Sequence, residues 1–365
     1  MTNIAHVPNI KLGETLTSLL LRLAKNHSAS GHELCALLWP QHQFWTRDID
    51  RTVSDAQLEA IARITGLTKE VLGKATLRNL VRATGFKERI PGYQRGILPV
   101  GIYHRVRRRF GQQYCWMCLD EKPPYLRVQW RLEFMVACPK HGILLRDSCP
   151  ECDAPFIPHR KHALTTAKCH SCGALLRGGD QDRPSKLTED LQSRILTILD
   201  GAIRGAQESV DQLAPTRIGA MPGLEIEAQD FLDGVHRLCR LAARATDALP
   251  KPYIHNRIVW AFLRTKDRAI VLDRVASWID GWPKSWISWA TNRGLSQHYL
   301  TDEYGPWPDW ITSAMTQIPY SLGPVNFKHK RVRITWASLR KAHRNVASYR
   351  QARAKLLLSR SGLTR

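Results

Sequence analysis

Four short motifs between residues 115 and 172 carry the side chains best suited to chemistry in this chain. Each motif presents two metal ligands three positions apart, and the tight turn between them directs both side chains towards one ion. Tetrahedral zinc in structural sites takes four cysteine or histidine ligands, which two such motifs supply. The motifs are Cys115-Trp-Met-Cys118, Cys138-Pro-Lys-His141, Cys149-Pro-Glu-Cys152 and Cys169-His-Ser-Cys172.

The spacing pairs the first motif with the second and the third with the fourth. Nineteen residues separate the first pair and sixteen the second, and both gaps are typical of zinc sites built from two motifs. We therefore predict two structural Zn²⁺ sites with closed, four-ligand coordination. The ligands are Cys115, Cys118, Cys138 and His141 in the first site, and Cys149, Cys152, Cys169 and Cys172 in the second.

Two other interpretations of these cysteines are weaker. A disulfide framework is disfavoured because the stretch holds seven cysteines, an odd number, and because Met1 to Asn9 lack a signal-peptide pattern. In a cytosolic chain, clustered thiols stay reduced and more often bind metal. A catalytic zinc needs an open ligand position, whereas both predicted sites are complete. The nearby His159, His162 and His170 are therefore not expected to be ligands.

The N-terminal part of the chain is predicted to be helical. Leucines recur at helical spacing between residues 12 and 26, and Glu14 lies near the positive end of that helix dipole. A second short helix is predicted from His32 to Trp39, where the following proline ends it.

A helix-turn-helix-like pair is predicted next. Ser54 to Gln57 form a capping box for one helix, Gly66 interrupts it, and Thr68 caps a second helix. Basic residues of the second helix could contact DNA, although a packing or protein-docking role for the pair is equally open. These basic residues are Lys69, Lys74 and Arg78.

The order of these features resembles the TniQ/TnsD family of transposition target-selection proteins. Gly13 to Leu19 resemble the family's opening helix motif, Tyr114 to Cys118 its first metal-binding motif, and Trp130 to Leu145 its second. The resemblance covers residues 10 to about 175. It implies a non-enzymatic adaptor that binds DNA, or an RNA-guided Cascade complex with its guide RNA, to choose the insertion site. It also implies that the adaptor engages the transposon's AAA+ ATPase, a TnsC/TniB-like protein.

The charge of the chain favours a polyanionic partner. The 365 residues hold 54 lysines and arginines against 32 aspartates and glutamates, which gives a formal net charge of +22. Nucleic acid is the usual partner of so basic a protein. A membrane partner is not expected, because no apolar run approaches the length of a spanning helix and no lipidation motif occurs.

Two segments concentrate this positive charge. Residues 78 to 109 contain Glu88 as their one acid, and they are either a phosphate-tracking strip or a solvated connector. Residues 327 to 365 contain twelve lysines and arginines and no acid, which favours docking on a phosphate backbone. The predicted nucleic-acid contacts are Arg105, Arg107, Arg108, Arg109, Lys328, Lys330, Arg331, Arg333, Arg340, Lys341 and Arg344.

The C-terminal half is predicted to be a helical bundle. Apolar spacing indicates helices over residues 187–203, 228–243, 254–263 and 269–279, with loose stretches at 177–184 and 205–223. Residues 291–296 could form a second helix-turn-helix turn. Four tryptophans at helical spacing form either a core seam or a partner surface, and two cysteines outside the motifs are expected in the core. These are Trp278, Trp282, Trp286 and Trp289, and Cys35 and Cys239.

The predicted fold class is mainly α with small zinc-binding modules. The predicted domains are an N-terminal helical, helix-turn-helix-like domain over 1–110, a double zinc-binding region over 111–180, a C-terminal helical domain over 185–326 and a basic tail over 327–365.

The absence of several enzyme motifs from the sequence narrows the functions that this chain could have. No Gly-x-x-x-x-Gly-Lys-Ser/Thr loop occurs, so the chain is not itself the ATPase, and the scattered acids do not suggest a nuclease. We expect a non-enzyme in the bacterial cytoplasm, associated with the nucleoid when it acts. The first hypothesis is a TniQ-type adaptor, and the second is a stand-alone DNA-binding protein, either a TnsD-like site reader or a zinc-containing regulator. A zinc-dependent nuclease or transposase is the third, and a homodimer is left open.

Overall fold

The structure is a computed structural model that describes residues 4–89, 92–103, 106–107, 109–178, 182–204, 217–221, 224–245, 259–304 and 306–320. The chain divides into two compact units, Met1–Trp289 with Pro306–Met315, and Ala290–Gly305 with Thr316–Arg365. The described residues are mainly helical and contain two clusters of cysteine and histidine, which confirms the predicted fold class. The four domain boundaries stay a prediction.

Short helices form the N-terminal part, and polar caps define their starts. Thr15 accepts a hydrogen bond from the Ser18 N–H, and Ser30 and Ser54 each form a capping box with the residue three positions on. The predicted caps at Ser54 and Thr68 are thus confirmed. The helices are α1 Leu16–Asn26, α2 Gly31–Leu38, α3 Ile49–Thr52, α4 Asp55–Thr65, α5 Lys69–Lys74 and α6 Arg78–Ala83.

The predicted second helix of the helix-turn-helix is shorter than its sequence suggests. Helix α5 ends at Lys74, and Arg78 begins α6, where its N–H is bonded to the Thr76 hydroxyl. The expectation that one helix carries all three basic residues is therefore wrong. Arg78 also forms a 2.6 Å ion pair with Asp55 of α4. This contact neutralises part of the positive charge that the sequence suggested was available to DNA. DNA contact by this unit stays a prediction.

The segment Gly13–Leu19 packs against the chain between the first two metal-binding motifs. The Thr15 N–H donates to the Leu126 carbonyl (2.9 Å), and the Val128 N–H donates to the Gly13 carbonyl (2.8 Å). Gly13 has a φ of 65°, which glycine adopts without strain. Glu14 is buried beside Arg22 at 2.6 Å, so it is a structural partner as well as an acid near a helix start. The elements that follow are β1 Ile102–Tyr103, β2 Val106–Arg107, α7 Trp116–Asp120, the 3-10 helix Val128–Arg131 and α8 Ala163–Thr166.

Longer helices follow the metal-binding motifs. Two predictions need correction here: part of the stretch predicted to be loose forms an antiparallel hairpin, and residues 259–263 of the predicted helix 254–263 contain only a 3-10 turn. Residues 254–258 lie outside the described residues. The elements are α9 Lys186–Arg204, β3 Arg217–Met221, β4 Leu224–Glu227, α10 Ala228–Ala245, the 3-10 helix Trp260–Phe262, α11 Thr265–Asp280, α12 Lys284–Asn292, α13 Gln297–Tyr304 and α14 Asp309–Met315.

Two of the four tryptophans belong to the core, and the other two are half-buried. Trp278 and Trp286 are buried, and the rings of Trp278 and Trp289 lie 4.4 Å apart. Pro283 separates α11 from α12, so the four residues do not form a stripe on one helix. Trp282 instead contacts Trp310 of α14, with 4.7 Å between ring centroids. The core interpretation is confirmed for the two buried rings.

Helix α13 belongs to the second unit. The Gln297 N–H donates to the Pro319 carbonyl (3.1 Å), and its side-chain amide donates to the Ile318 carbonyl (2.7 Å). These bonds fix residues 318–320 at the start of the helix. Along the part of the chain that the structure describes, every helix is too short or too polar to span a bilayer.

A buried arginine joins the N-terminal helices to the metal-binding region. Arg131 is fully buried, and its guanidinium contacts Asp48 at 2.5 Å and Asp50 at 3.3 Å. The same guanidinium donates to the Leu98 carbonyl (3.0 Å). Asp50 also accepts the Thr17 N–H (2.7 Å) in the first turn of α1. One buried charge therefore holds three separate segments together.

Replacing this arginine tests the contribution of the buried contacts. We expect Arg131→Met to lower the free energy of unfolding by about 3–5 kcal/mol, because the buried Asp50 loses its ion pair and the partly buried Asp48 loses one of its contacts. Urea unfolding measures the change. The matched control is Arg63→Met, an exposed arginine of α4, whose effect should stay within about 0.5 kcal/mol. Equal unfolding midpoints for Arg131→Met and Arg63→Met would contradict the assignment.

Candidate metal centres

The structure brings the four predicted ligands of the first site together. Their ligand atoms all lie within 4.8 Å of one another. His141 points its Nδ1 atom at the sulfurs, at 3.3 Å from both Cys115 and Cys118 and 3.6 Å from Cys138. The Cys118 and Cys138 sulfurs are 3.7 Å apart.

These distances fit a tetrahedral metal ion. Zinc bonds of about 2.3 Å to sulfur and 2.0–2.1 Å to nitrogen set edges of roughly 3.8 Å between sulfurs and roughly 3.5 Å between sulfur and nitrogen. A disulfide would need sulfurs about 2.0 Å apart. All nine cysteines of the chain are thiols. The donor set therefore fits a metal ion and excludes the disulfide interpretation.

The second site has the same arrangement with four sulfurs. Cys149 and Cys172 are 3.7 Å apart, as are Cys152 and Cys169. Both distances match the edge of a tetrahedron around zinc. The third motif therefore lies beside the fourth, as the spacing predicts. All eight predicted ligands lie in the two clusters.

A shared turn presents the ligands in three of the motifs. In each, the N–H four residues after the first cysteine donates to that cysteine's carbonyl, at 2.8–3.1 Å. The turn residue has a positive φ, which glycine and aspartate tolerate better than other residues. These turn residues are Gly142, Asp153 and Gly173, with φ of 63°, 53° and 79°. The first motif differs, because Cys115 caps helix α7 and Cys118 lies within it.

A carboxylate near the first site escaped the sequence analysis. The Nε2 atom of His141 lies 3.2 Å from the Glu121 carboxylate. A carboxylate on the second ring nitrogen fixes the tautomer and orientation of a metal-binding histidine. Glu121 follows Cys118 by three positions, but no spacing rule marks it. Only the fold shows its role.

The two sites differ in exposure. Cys115, Cys118 and Cys138 are buried, whereas Cys152 and Cys172 of the second site are exposed. The backbone N–H of Ala154 lowers the pKa of the Cys152 thiol to about 7, which favours the thiolate that a metal binds. The second site is therefore the more accessible to chelators.

The histidines near the second site lie outside both ligand sets. His159, His162 and His170 are absent from the clusters, as predicted. The ring of His159 instead stacks on Trp45, with 4.8 Å between centroids. It thereby contacts the 3-10 turn Phe44–Thr46 of the N-terminal part.

The second site is anchored to the helical part by an arginine that precedes α11. Arg264 contacts Asp147 at 3.0 Å and Asp153 at 2.7 Å, on either side of Cys149. The Thr265 N–H also donates to Asp147 (2.7 Å). These contacts position the third motif without touching its sulfurs.

The predicted nucleic-acid contacts are mostly beyond what the structure describes. Arg109 is the one whose side chain is described, and its guanidinium lies 4.1 Å from the Phe262 ring centroid. The backbone of Arg107 belongs to β2. The others lie outside the described residues: Arg105, Arg108, Lys328, Lys330, Arg331, Arg333, Arg340, Lys341 and Arg344.

The two cysteines outside the motifs are core side chains, as predicted. Cys35 and Cys239 are buried. Burial raises the pKa of the Cys35 thiol to about 12 and also raises that of Cys239. Both therefore stay protonated and unreactive at neutral pH.

Fold and site together define a mainly helical protein with two clusters of cysteine and histidine, each of which could hold a metal ion. The family model described as TniQ matches residues 6–145. This part of the chain is therefore a TniQ domain, and the resemblance to that family is confirmed over this range. The match includes the whole first site and stops before the second. A search of curated proteins finds no match to the chain.

Loss of one ligand tests each centre. We expect Cys115→Ser and Cys149→Ser each to reduce the bound zinc from two ions to one and to destabilise residues 111–180, because metal binding there supplies folding energy. Elemental analysis and thermal melting measure both effects. Cys35→Ser, a buried cysteine outside the clusters, should keep two ions. Normal thermal stability in both site variants would exclude the structural role.

The difference in exposure predicts the order of metal release. With a chelator in excess, zinc should leave in a fast and a slow phase, because two sulfurs of the second site are in contact with solvent. A colorimetric zinc indicator follows both phases. Cys149→Ser should lose the fast phase and Cys115→Ser the slow one. The opposite assignment of phases would contradict the role of exposure.

Proposed function

We propose that this chain is an adaptor that couples a target to the transposition machinery. The TniQ domain supports this proposal, because it implies a transposition-associated role in target selection. The adaptor would bind DNA or an RNA-guided Cascade complex and recruit the transposon's AAA+ ATPase. The observation that carries the proposal is the TniQ match over residues 6–145. This range ends four residues after His141, the last residue of the first cluster.

Zinc is the proposed metal at both centres, with a structural role. Four cysteine and histidine ligand atoms at the corners of a tetrahedron leave no coordination position for a substrate. Glu121 and the buried thiols of the first site support permanent coordination. When bound, the ions would cross-link the motifs of a region that has few regular elements of its own.

The proposal includes no catalytic step. TniQ proteins are adaptors, and closed metal sites cannot activate water. We therefore propose a non-enzyme that acts by contact with other macromolecules, in the bacterial cytoplasm and at the nucleoid. The four-domain organisation given above is part of this proposal.

Nucleic-acid binding is proposed for the basic tail over residues 327–365. The tail has twelve basic residues and no acid of its own to neutralise them. A run of one sign and this length favours a polyanionic partner. Contacts of this kind are sequence-independent and release counterions from phosphates. They would position the adaptor on a duplex or a guide RNA without choosing the site.

A salt series on random-sequence duplex DNA tests this part. If six or more phosphates are contacted, raising the salt from about 50 to 200 mM should weaken binding by at least about a thousandfold. Changing Lys328, Lys330, Arg331 and Arg333 to glutamine should reduce both the affinity and the salt slope. Lys25→Gln with Arg63→Gln, two exposed basic residues elsewhere, is the control. Salt-insensitive binding, or none, would contradict the proposal.

The second candidate is a site reader in its own right. The capped helix pair α4 and α5 favours it, since Lys74 belongs to the second helix. Selection from the random duplex pool separates the two candidates. One strongly preferred sequence supports the reader, whereas binding without preference supports the adaptor.

A further inference from the structure

Two exposed tyrosines lie in the second compact unit of the chain. Tyr299 is 40% exposed and Tyr320 is 72% exposed. Every other phenylalanine, tyrosine or tryptophan side chain that the structure describes is buried or half-buried. An aromatic ring offers a large area to a partner that covers it. The two tyrosines therefore mark a surface suited to a ligand.

Hydrogen bonds place the two tyrosines beside each other. The His298 N–H donates to the Tyr320 carbonyl (3.3 Å), so the backbone of Tyr320 lies next to the residue that precedes Tyr299. The side-chain amide of Gln297 fixes the same segment by donating to the Ile318 carbonyl (2.7 Å). All five residues belong to the second unit. Both tyrosines thus lie at the start of α13.

The backbone that carries the tyrosines is held by buried neighbours. Leu300 and Ile318 are buried in the second unit. The Tyr299 N–H donates to the hydroxyl of Ser296, which is also buried (3.3 Å). Side chains on a fixed backbone lose less conformational freedom when they bind, which favours affinity.

The second unit also contains the most basic segment of the chain. The unit includes Thr316–Arg365, and residues 327–365 hold twelve lysines and arginines and no acid. Six residues, 321–326, separate Tyr320 from the start of this tail. A fully extended chain of that length spans at most about 25 Å. The start of the tail is therefore covalently held close to the two tyrosines.

The start of α13 is itself a poor site for a phosphate. The N–H groups of Gln297, His298 and Tyr299 already donate to oxygen atoms of the protein. Asp302 and Glu303 also give this helix two negative charges. A ligand at the tyrosines is therefore recognised by its rings, and any phosphates that it carries are left to the tail.

A single-stranded nucleic acid matches both the tyrosines and the tail. Its unpaired bases expose flat faces that stack on aromatic side chains, and its phosphates bind lysine and arginine. A duplex keeps these faces within its own base stack, so aromatic side chains bind bases mainly where they are unpaired. An acidic peptide matches the charge of the tail, but it does not need two aromatic rings.

We propose that Tyr299 and Tyr320 form a platform on which unpaired bases of a single-stranded nucleic acid stack, while the basic tail binds its phosphates. The inference rests on the proposed function, in which the tail binds a duplex or a guide RNA, and deepens it. It adds that the nucleic acid has unpaired nucleotides at this surface, and it names the two side chains that bind them.

Fluorescence anisotropy of the zinc-loaded full chain with labelled oligonucleotides tests the proposal. The probes are an oligodeoxythymidine and an oligouridine of about twenty nucleotides, long enough for one binding site. We expect Tyr299→Leu combined with Tyr320→Leu to weaken single-strand binding by at least about tenfold, because two stacking contacts are lost. Tyr299→Phe combined with Tyr320→Phe should keep the affinity, because phenylalanine retains the ring. A loss on one probe alone would identify RNA or DNA as the ligand.

The matched control is Leu37→Ala, which removes an exposed apolar side chain of α2 in the first unit and should leave the affinity unchanged. Thermal melting checks that all variants are folded. Unchanged single-strand binding by the double leucine variant, or an equal loss in the double phenylalanine variant, would overturn the proposal. So would an equal loss of affinity for random-sequence duplex, since the tyrosines would then not distinguish unpaired bases.

The glutamine variant of the tail separates this proposal from the proposed function. Removing the charges of Lys328, Lys330, Arg331 and Arg333 should weaken the binding of duplex and single strand together, because both present phosphates. The double leucine variant should weaken the binding of the single strand alone. Failure of the tail variant to affect either probe contradicts the proposed function, whereas failure of the leucine variant contradicts only the platform.

Discussion

The buried guanidinium of Arg131 is the constraint on which the rest of the TniQ domain depends. A charge removed from water costs several kcal/mol unless it is fully paired. Here two carboxylates and the Leu98 carbonyl contact its two terminal nitrogens, and Nε has no hydrogen-bond partner. The carboxylates come from α3 and the residue before it, and Asp50 is bound in turn to the first turn of α1. One ion cluster therefore sets the relation between the opening helix, the segment at Leu98 and the chain between the first two metal-binding motifs.

The metal centres contribute to the stability of the region that contains the four motifs. Residues 111–178 contain only short helical turns and isolated bridges, so little regular secondary structure holds the four motifs in place. Two metal ions would supply cross-links between the motifs. Polar contacts then join the region to the helices: Arg268 of α11 donates to the Glu133 carbonyl at 2.7 Å and to the Gln113 side chain at 2.7 Å. The buried Glu133 also contacts His236 of α10. Each of these buried side chains forms at least one hydrogen bond, which offsets part of the cost of placing it in a core, although Nε of Arg268 has no partner.

The features that sequence predicts best are those determined by neighbours in the chain. The eight ligands and the caps of α4 and α5 follow from residues three or four positions apart, and local geometry fixes them whatever the rest of the fold does. The Arg131–Asp48 pair joins residues 83 positions apart, and no period or spacing marks such a pair. Glu121 escapes for the same reason, because its role depends on the orientation of His141. The hairpin β3–β4 was missed since glycines and prolines near it resemble a loop. Arg78 was assigned to the wrong helix because the three-residue break between α5 and α6 has no strong signal.

The composition alone overstates how much of the positive charge is available to bind partners. Within the basic stretch 78–109, Arg78 and Arg95 form ion pairs with Asp55 and Asp233. The hydrogen bond from Arg78 lowers the pKa of the Asp55 carboxyl, and Arg82 lowers it further at longer range. The stretch is therefore not a uniform phosphate-tracking strip. Arg109 is stacked on the Phe262 ring. The tail over residues 327–365, by contrast, has twelve basic residues and no acid of its own to pair with them. The tail is therefore a better candidate than the stretch 78–109 for contact with a phosphate backbone.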